Sequence, residues 1–328
     1  MRLFMGFLLG VRLQSRFYTQ DSQSKRGGIS GTIYLDLMAH PDRRRAENIA
    51  GDFYVDDTCI DCDTCRWLAP ETFTAKGGQS AVFAQPQTPA QRHDAFIAMA
   101  ACPTASIGTE RPDPGFARVR SEFPVPVDLD GDVLYCGYHS EKSFGAASYF
   151  LPRPQGNILV DCPREAAPLV KRLESLGGVS HMFLTHGDDV ADHTTYQQHF
   201  GLQRWIHEGD RSALREAEHL MKGTEPFAMG EDLEVIPVPG HTRGSCCLLY
   251  RNKYLFTGDH LAYSARRGHL YAFRDACWYS WSRQIESMEK LLAYSFEWVL
   301  PGHGRRLYLP AHEMRRNLEQ CIAWMKQR

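Results

Sequence analysis

Short apolar runs separated by turn residues recur from residue 53 to the C-terminus, and their spacing changes character part-way along the chain. In the first region Phe53-Tyr54-Val55 and Ala81-Val82-Phe83 read as strands around the Gly77-Gly78 turn, and residues 90–101 as a helix. Arg111-Pro112-Asp113-Pro114-Gly115 reads as an extended linker, because proline biases the preceding residue away from helix. Beyond it strands and helices alternate. Ser148–Leu151 and Asn157–Asp161 read as strands paired around Pro154-Gln155-Gly156, and residues 166–176 as a helix. Residues 181–185 read as a buried strand. Further apolar strand-like runs are Val235–Val238, Tyr254–Phe256 and Trp298–Leu300. Helices are expected over about 282–293 and, with an amphipathic pattern, over 311–327.

These patterns predict a chain of mixed helix and strand in three parts. Residues 1–40 are a disordered extension or transit segment, 41–112 a small first domain and 118–328 a larger second one. The first 20 residues carry Arg2, Arg12 and Arg16, no acidic residue and an apolar middle, a pattern compatible with an organellar transit peptide. Localisation is accordingly expected to be cytoplasmic, or plastid or mitochondrial if that segment is cleaved. No stretch reaches the ~18 apolar residues of a membrane helix, so no membrane partner is expected. The formal net charge of −2 gives no support for nucleic-acid binding.

The cysteines change this picture most. Cys59, Cys62 and Cys65 form a C-x-x-C-x-x-C run, and Cys102-Pro103 follows after the predicted helix. Thiolates at this spacing can converge from one loop while a distant cysteine completes the set. The segment resembles single-cluster bacterial ferredoxins over residues 52–108. The resemblance implies one [4Fe–4S] cluster held by Cys59, Cys62, Cys65 and Cys102, and an electron-transfer role. The other six cysteines lack ligand spacing and read as small buried hydrophobes.

Four histidine- and aspartate-bearing motifs follow in the second region, each directly after a strand-like run. They are Thr185-His186-Gly187-Asp188-Asp189-Val190-Ala191-Asp192-His193, Pro239-Gly240-His241-Thr242-Arg243-Gly244-Ser245, Phe256-Thr257-Gly258-Asp259 and Leu300-Pro301-Gly302-His303-Gly304. Imidazoles with carboxylates at strand ends suit Zn, Fe or Mn. The order resembles the metallo-β-lactamase superfamily over about residues 130–308, and the second motif resembles its glyoxalase II-like branch. The resemblance implies an α+β chain in which a small ferredoxin-like domain precedes an αββα sandwich holding one or two Zn or Fe ions, with Mn an alternative. It assigns His186 and His241 to one metal, Asp192, His193 and His303 to a second, and Asp259 to a bridge. Asp192 and His241 are the candidate catalytic residues.

One departure is visible. The family pattern is H-x-H-x-D-H, but Asp192-His193 lies two residues too far from His186, and Asp188 occupies the second histidine position when counted forward. The register stays open, and Asp188 joins the candidate ligands. Asp189 reads as a solvated or supporting acid, His260 as a residue beside the ligands, and Trp278-Tyr279-Ser280-Trp281 as core or as lining of a substrate pocket. Three functions follow from the resemblance: a metallo-hydrolase of a small molecule such as a thioester, an iron-dependent oxidoreductase fed electrons through the cluster by a donor protein, or a redox sensor. The fold alone does not choose among them.

Overall fold

The computed structural model describes residues 39–328, so the extension expected over residues 1–40 lies almost wholly outside the described residues. The described residues form one compact unit. Among the described residues no helix is long and apolar enough to cross a membrane.

The first region contains β1 (Phe53–Val55), α1 (Thr64–Leu68), β2 (Phe73–Lys76), β3 (Gln79–Val82), α2 (Pro89–Ala101) and β4 (Ile107–Thr109). β1 pairs antiparallel with β4, and β2 with β3. Thr88 and Gln91 form a reciprocal capping box that starts α2, with Pro89 as its first residue. The inner face of α2 then buries Phe96, Ala98 and Met99 on Phe53 and Val55.

The expected linker is not extended. Asp113 accepts a hydrogen bond from the Gly115 amide at 2.7 Å and caps α3 (Pro114–Arg120). Asp followed by Pro is a helix start as well as a turn signal, and here the cap decides. Phe116 of this helix packs 5.7 Å from Phe96, and Arg92 bonds the Asp113 carboxylate.

Two sheets follow. The first is seven-stranded, ordered β11 (His219–Met221), β10 (Gln203–His207), β9 (His181–Phe183), β8 (Ile158–Val160), β7 (Tyr149–Leu151), β6 (Leu134–Tyr135) and β5 (Val125–Pro126). Helices α4 (Ala167–Ser175) and α5 (His193–Phe200) connect its parallel strands. The second sheet runs β12 (Phe227–Gly230), β13 (Leu233–Pro237), β14 (Cys246–Tyr250), β15 (Tyr254–Gly258), β18 (Trp298–Pro301), β19 (Leu307–Tyr308). A separate hairpin, β16 (Ala262–Ser264) with β17 (His269–Tyr271), precedes α6 (Trp281–Lys290), and α7 (Ala311–Lys326) ends the chain.

Alternation along β14 explains the layers, because successive side chains of a strand face opposite ways. Cys246, Leu248 and Tyr250 enter the core shared with the first sheet. Cys247 and Leu249 face Met288 of α6 and Met314, Leu318 and Ile322 of α7. The sheets meet at contacts such as Tyr149 on Phe256, with ring centroids 5.3 Å apart. The result is the expected αββα sandwich. Its larger core also takes in Ala100 of α2, with Trp67 and Leu68 of α1 packed against it, so the cysteine-bearing region and the sandwich share apolar packing.

Strand direction places the motifs. β13 and β15 each pair antiparallel with β14, and β18 pairs parallel with β15, so these three strands end at one edge of the second sheet. The β9 end joins that edge where the Cys246 amide donates to the Thr185 carbonyl at 2.8 Å.

Beside α5, the buried Arg204 guanidinium bonds both Glu218 carboxylate oxygens, at 2.7 and 2.9 Å. Those hydrogen bonds hold the Glu218 carboxyl down to about 2. A depressed carboxyl contributes stability above its unfolded-state value and loses it as pH falls through the folded one. Glu218→Ala is therefore expected to lower stability at pH 7 by on the order of 2 kcal/mol, with the difference shrinking towards pH 2. Denaturant unfolding of both proteins across pH checks this, and equal midpoints at pH 7 would refute it.

Candidate metal centre

Four side chains from three of the four motifs converge at the shared edge. His186 and His241 are buried, with ring centroids 4.8 Å apart and planes near perpendicular. The Asp259 Oδ2 lies 3.9 Å from His186 Nε2 and 3.8 Å from His241 Nε2. Asp188 Oδ2 stands 3.3 Å from His241 Nε2 and 4.0 Å from His186 Nε2, with its side chain half exposed. Burial pushes the His186 ring towards its neutral form, which is the form that binds a metal. The His241 ring beside Asp188 draws that carboxyl below its ordinary value.

A second group adjoins the first. His303 Nδ1 lies 2.8 Å from both Asp259 oxygens, and Asp189, Asp259 and His303 together present converging ligand atoms. Burial alone would favour neutral His303, but the Asp259 charge outweighs it and raises the ring to about 10. Burial likewise raises Asp259, and the facing imidazoles more than reverse this, leaving the carboxyl below its ordinary range.

The donor set fits a cation. His186 Nε2, both His241 ring nitrogens and both Asp189 oxygens are buried without any hydrogen-bond partner. Burying such groups unpaired costs several kcal/mol in sum, and an ion among them removes that cost.

Asp189 is thus no solvated acid. It is 1% exposed, and burial together with the Asp259 charge raises its carboxyl well above the usual range. Asp192 and His193, expected in the second metal set, belong to neither group of converging atoms. Asp192 pairs with Lys142 at 2.5 Å and accepts from the Glu165 amide at 2.8 Å. His193 Nδ1 lies 3.0 Å from an Arg204 nitrogen. The cause is a turn: Ala191 has φ +34°, and the chain leaves it directly into α5, carrying both side chains away. Forward counting from His186 therefore describes the structure, with Val190 and Ala191 in the positions where the family pattern has ligands.

Residues that position the ligands were not legible as such. Asp161, raised to about 7 by burial, accepts from the Thr185 amide and hydroxyl at 2.8 and 2.9 Å and so fixes the residue before His186. Asp210 accepts from the amides of Gly187 and Gly244 and from the Thr242 hydroxyl, tying the His186 and His241 loops together. At Gly258 (φ +48°) a Cβ would come within 2.3 Å of the Thr185 hydroxyl. A Cβ at Gly302 would lie 2.8 Å from Asp189. His260 is buried beside the site with both ring nitrogens unpartnered, and burial lowers it to about 3. Trp278 is 66% exposed rather than core, because its indole N–H reaches out to Asp188 Oδ2 at 3.0 Å.

The cysteine cradle has the same character. Asp61 and Asp63 adopt left-handed backbone, φ +60° and +67°, which curls the 59–65 loop, and Arg66 pairs with both. Cys59, Cys62, Cys65 and Cys102 line one cavity. The Ser106 amide donates to Cys102 Sγ at 3.3 Å. Burial pushes Cys62 up to about 11 and raises Cys65 and Cys102. Four thiolates converging on one cavity need a cationic metal or cluster to offset them, and the residues present fit an iron–sulfur cluster.

Residues 55–109 match the family described as the 4Fe-4S single cluster domain of Ferredoxin I. Two curated relatives are hydroxyacylglutathione hydrolases. The one from Xanthomonas oryzae pv. oryzae (strain MAFF 311018) is 34% identical over 107 residues, 32% of this chain and 41% of its own. The one from Rhizobium meliloti (strain 1021) is 32% identical over 130 residues, 38% of this chain and 50% of its own. The chain thus joins a segment that matches a ferredoxin family model to an αββα sandwich that is similar in part to hydroxyacylglutathione hydrolases. It spans at most half the length of those two relatives in the matches. A metallo-β-lactamase from Pontibacter korlensis superposes with a TM-score of 0.47 at 17% identity, covering 62% of this chain and 98% of its own.

Two expectations test the metal site of the sandwich and the cysteine cradle. Asp189→Asn should weaken metal binding by on the order of tenfold or more, while Asp192→Asn leaves it unchanged. Metal titration decides, and equal affinity in the wild type and Asp189→Asn would remove Asp189 from the set. Protein prepared without oxygen should be brown with inorganic sulfide, and Cys62→Ala should lose both. Colourless protein with zinc on these cysteines would overturn the cluster.

Proposed function

We propose that the protein is a metal-dependent hydrolase of a small acyl compound, with a thioester as the substrate class and a [4Fe–4S] cluster in its N-terminal region. The observation that carries this is the buried set His186, His241 and Asp259, in which His186 Nε2 and both His241 ring nitrogens have no hydrogen-bond partner among the described residues, with Asp188 at its mouth. The likeness to hydroxyacylglutathione hydrolases supports the substrate class. A Zn or Fe ion, when bound, supplies Lewis acidity and a nucleophile at neutral pH.

The protein's own groups have distinct parts. Burial favours the neutral form of His186, and the rings of His186 and His241 present nitrogen lone pairs to an ion. Asp188, half exposed, reaches the mouth where substrate enters and is held there by the Trp278 indole. Asp259 joins the two ligand groups and keeps His303 protonated in the absence of a cation. Trp278 and Phe144 are exposed aromatics whose rings lie 6.2 Å from His241 and 6.1 Å from His303, respectively, and offer apolar walls to a substrate.

A second reading is an iron-dependent oxidoreductase supplied by an electron-donor protein. The cysteine cradle favours it, since hydrolysis needs no electron.

Metal-loaded full-length protein is expected to release thiol from a hydroxyacyl thioester, and His241→Ala to reduce the rate to background while lowering metal content. Asp188→Ala should lose turnover too, because it removes the carboxylate nearest the opening. Hydrolysis by wild type no faster than by His241→Ala would sink the hydrolase and leave the second reading.

A further inference from the structure

The segment 139–147 touches both candidate centres. On one side, Gly145 lies against the cradle: a Cβ built there would be 2.8 Å from Cys62 Cβ and 3.1 Å from its sulfur. On the other, the Phe144 carbonyl lies 3.3 Å from His303 Nε2, as the acceptor for that N–H. His303 Nδ1 in turn meets Asp259 at 2.8 Å. One peptide unit, Phe144–Gly145, therefore separates a cysteine of the cradle from an imidazole of the metal centre.

The segment is anchored at both ends. The buried His139 ring bridges the Thr64 hydroxyl, at 3.0 Å, and the Tyr135 hydroxyl, at 2.6 Å. Thr64 opens α1, the helix that carries Cys65. The Ala147 amide donates to the Gly302 carbonyl at 2.7 Å, immediately before His303. Gly145 has φ +86°, and both this conformation and the closeness of Cys62 exclude a side chain.

We propose that Cys62, the Phe144–Gly145 peptide and His303 form an electron path between the cysteine-held cluster and a redox-active ion in the metallo-β-lactamase-like sandwich. The inference rests on the cluster and metal readings above and is independent of hydrolysis. A low-potential one-electron donor gives one electron to the cluster. The same electron leaves the cluster and reduces a ferric ion of the sandwich to ferrous, so the donor is oxidised by one electron, the ion is reduced by one, and the cluster returns to its starting state. No bond to substrate is made or broken.

The test uses full-length protein prepared anaerobically, with iron in the sandwich oxidised to ferric. Iron and sulfide are counted per chain. Sub-stoichiometric dithionite is mixed in, and the ferric signal is followed by freeze-quench electron paramagnetic resonance. The expected result is cluster reduction followed by loss of the ferric signal at a first-order rate independent of protein concentration. His303→Leu removes the hydrogen bond to Phe144 and should slow that step at least tenfold with cluster content unchanged. Should that substitution release the sandwich iron, Gly145→Ala, which forces the segment off Cys62, should slow it instead. If both release metal, the wild-type rate law decides alone. A rate that scales with protein concentration, or one unchanged in a variant that keeps both irons, overturns the path. Absence of the cluster or of sandwich iron overturns the underlying readings, and this proposal with them. Retained thioesterase activity bears on neither outcome.

Discussion

The Asp259 carboxylate, surrounded by the rings of His186, His241 and His303, is the interaction on which the site depends. Its charge raises the His303 ring to about 10 and, together with burial, raises the Asp189 carboxyl well above the usual range, and the other two rings keep buried nitrogens unpaired among the described residues. Proteins do not ordinarily bury so many polar atoms without partners. The surrounding structure holds them there: Asp161 fixes Thr185, Asp210 ties two loops, and glycines at 258 and 302 leave room. Folding strain at this edge is thus organised around a charge that an ion supplies.

The cysteine cradle solves the same problem with softer ligands. Thiols raised by burial become acceptable as thiolates against a cationic metal or cluster, and an amide from Ser106 offsets part of the charge. The two sites are not independent modules on a tether. Helix α3 occupies the stretch between them, Val119 of that helix is buried, and α1 and α2 contribute to packing on the sandwich core. A cut near residue 119 would divide a packed helix.

Asp188, at the position where the resembled pattern has its second histidine, sets the chemistry at the mouth. A carboxylate adds negative charge and hardness next to two imidazoles, which favours iron or manganese relative to zinc. Asp189, one residue after Asp188, joins Asp259 and His303 in the second group of converging atoms. That group lies one peptide unit from the cysteine cradle.

The order of the four motifs, the strand before each, the cysteine spacing and the helix before Cys102 were all legible in the sequence, because each depends on residues within a few positions of one another. A strand followed by Gly and His announces itself locally. What the sequence left open was where side chains point once a strand has ended. Asp189 turns into the core and Asp192 out to Lys142 because Ala191 takes a left-handed turn, and nothing in Asp-Asp-Val-Ala-Asp-His specifies that. Trp278 lies in the open because Asp188, 90 residues earlier, accepts its N–H. Asp161 and Asp210 matter only through amides brought to them by other strands. Local pattern determined the elements and the ligand types, and long-range packing decided which carboxylates face the metal and that the two centres share a wall, since burial and hydrogen bonding at that edge are set by segments far apart in the chain.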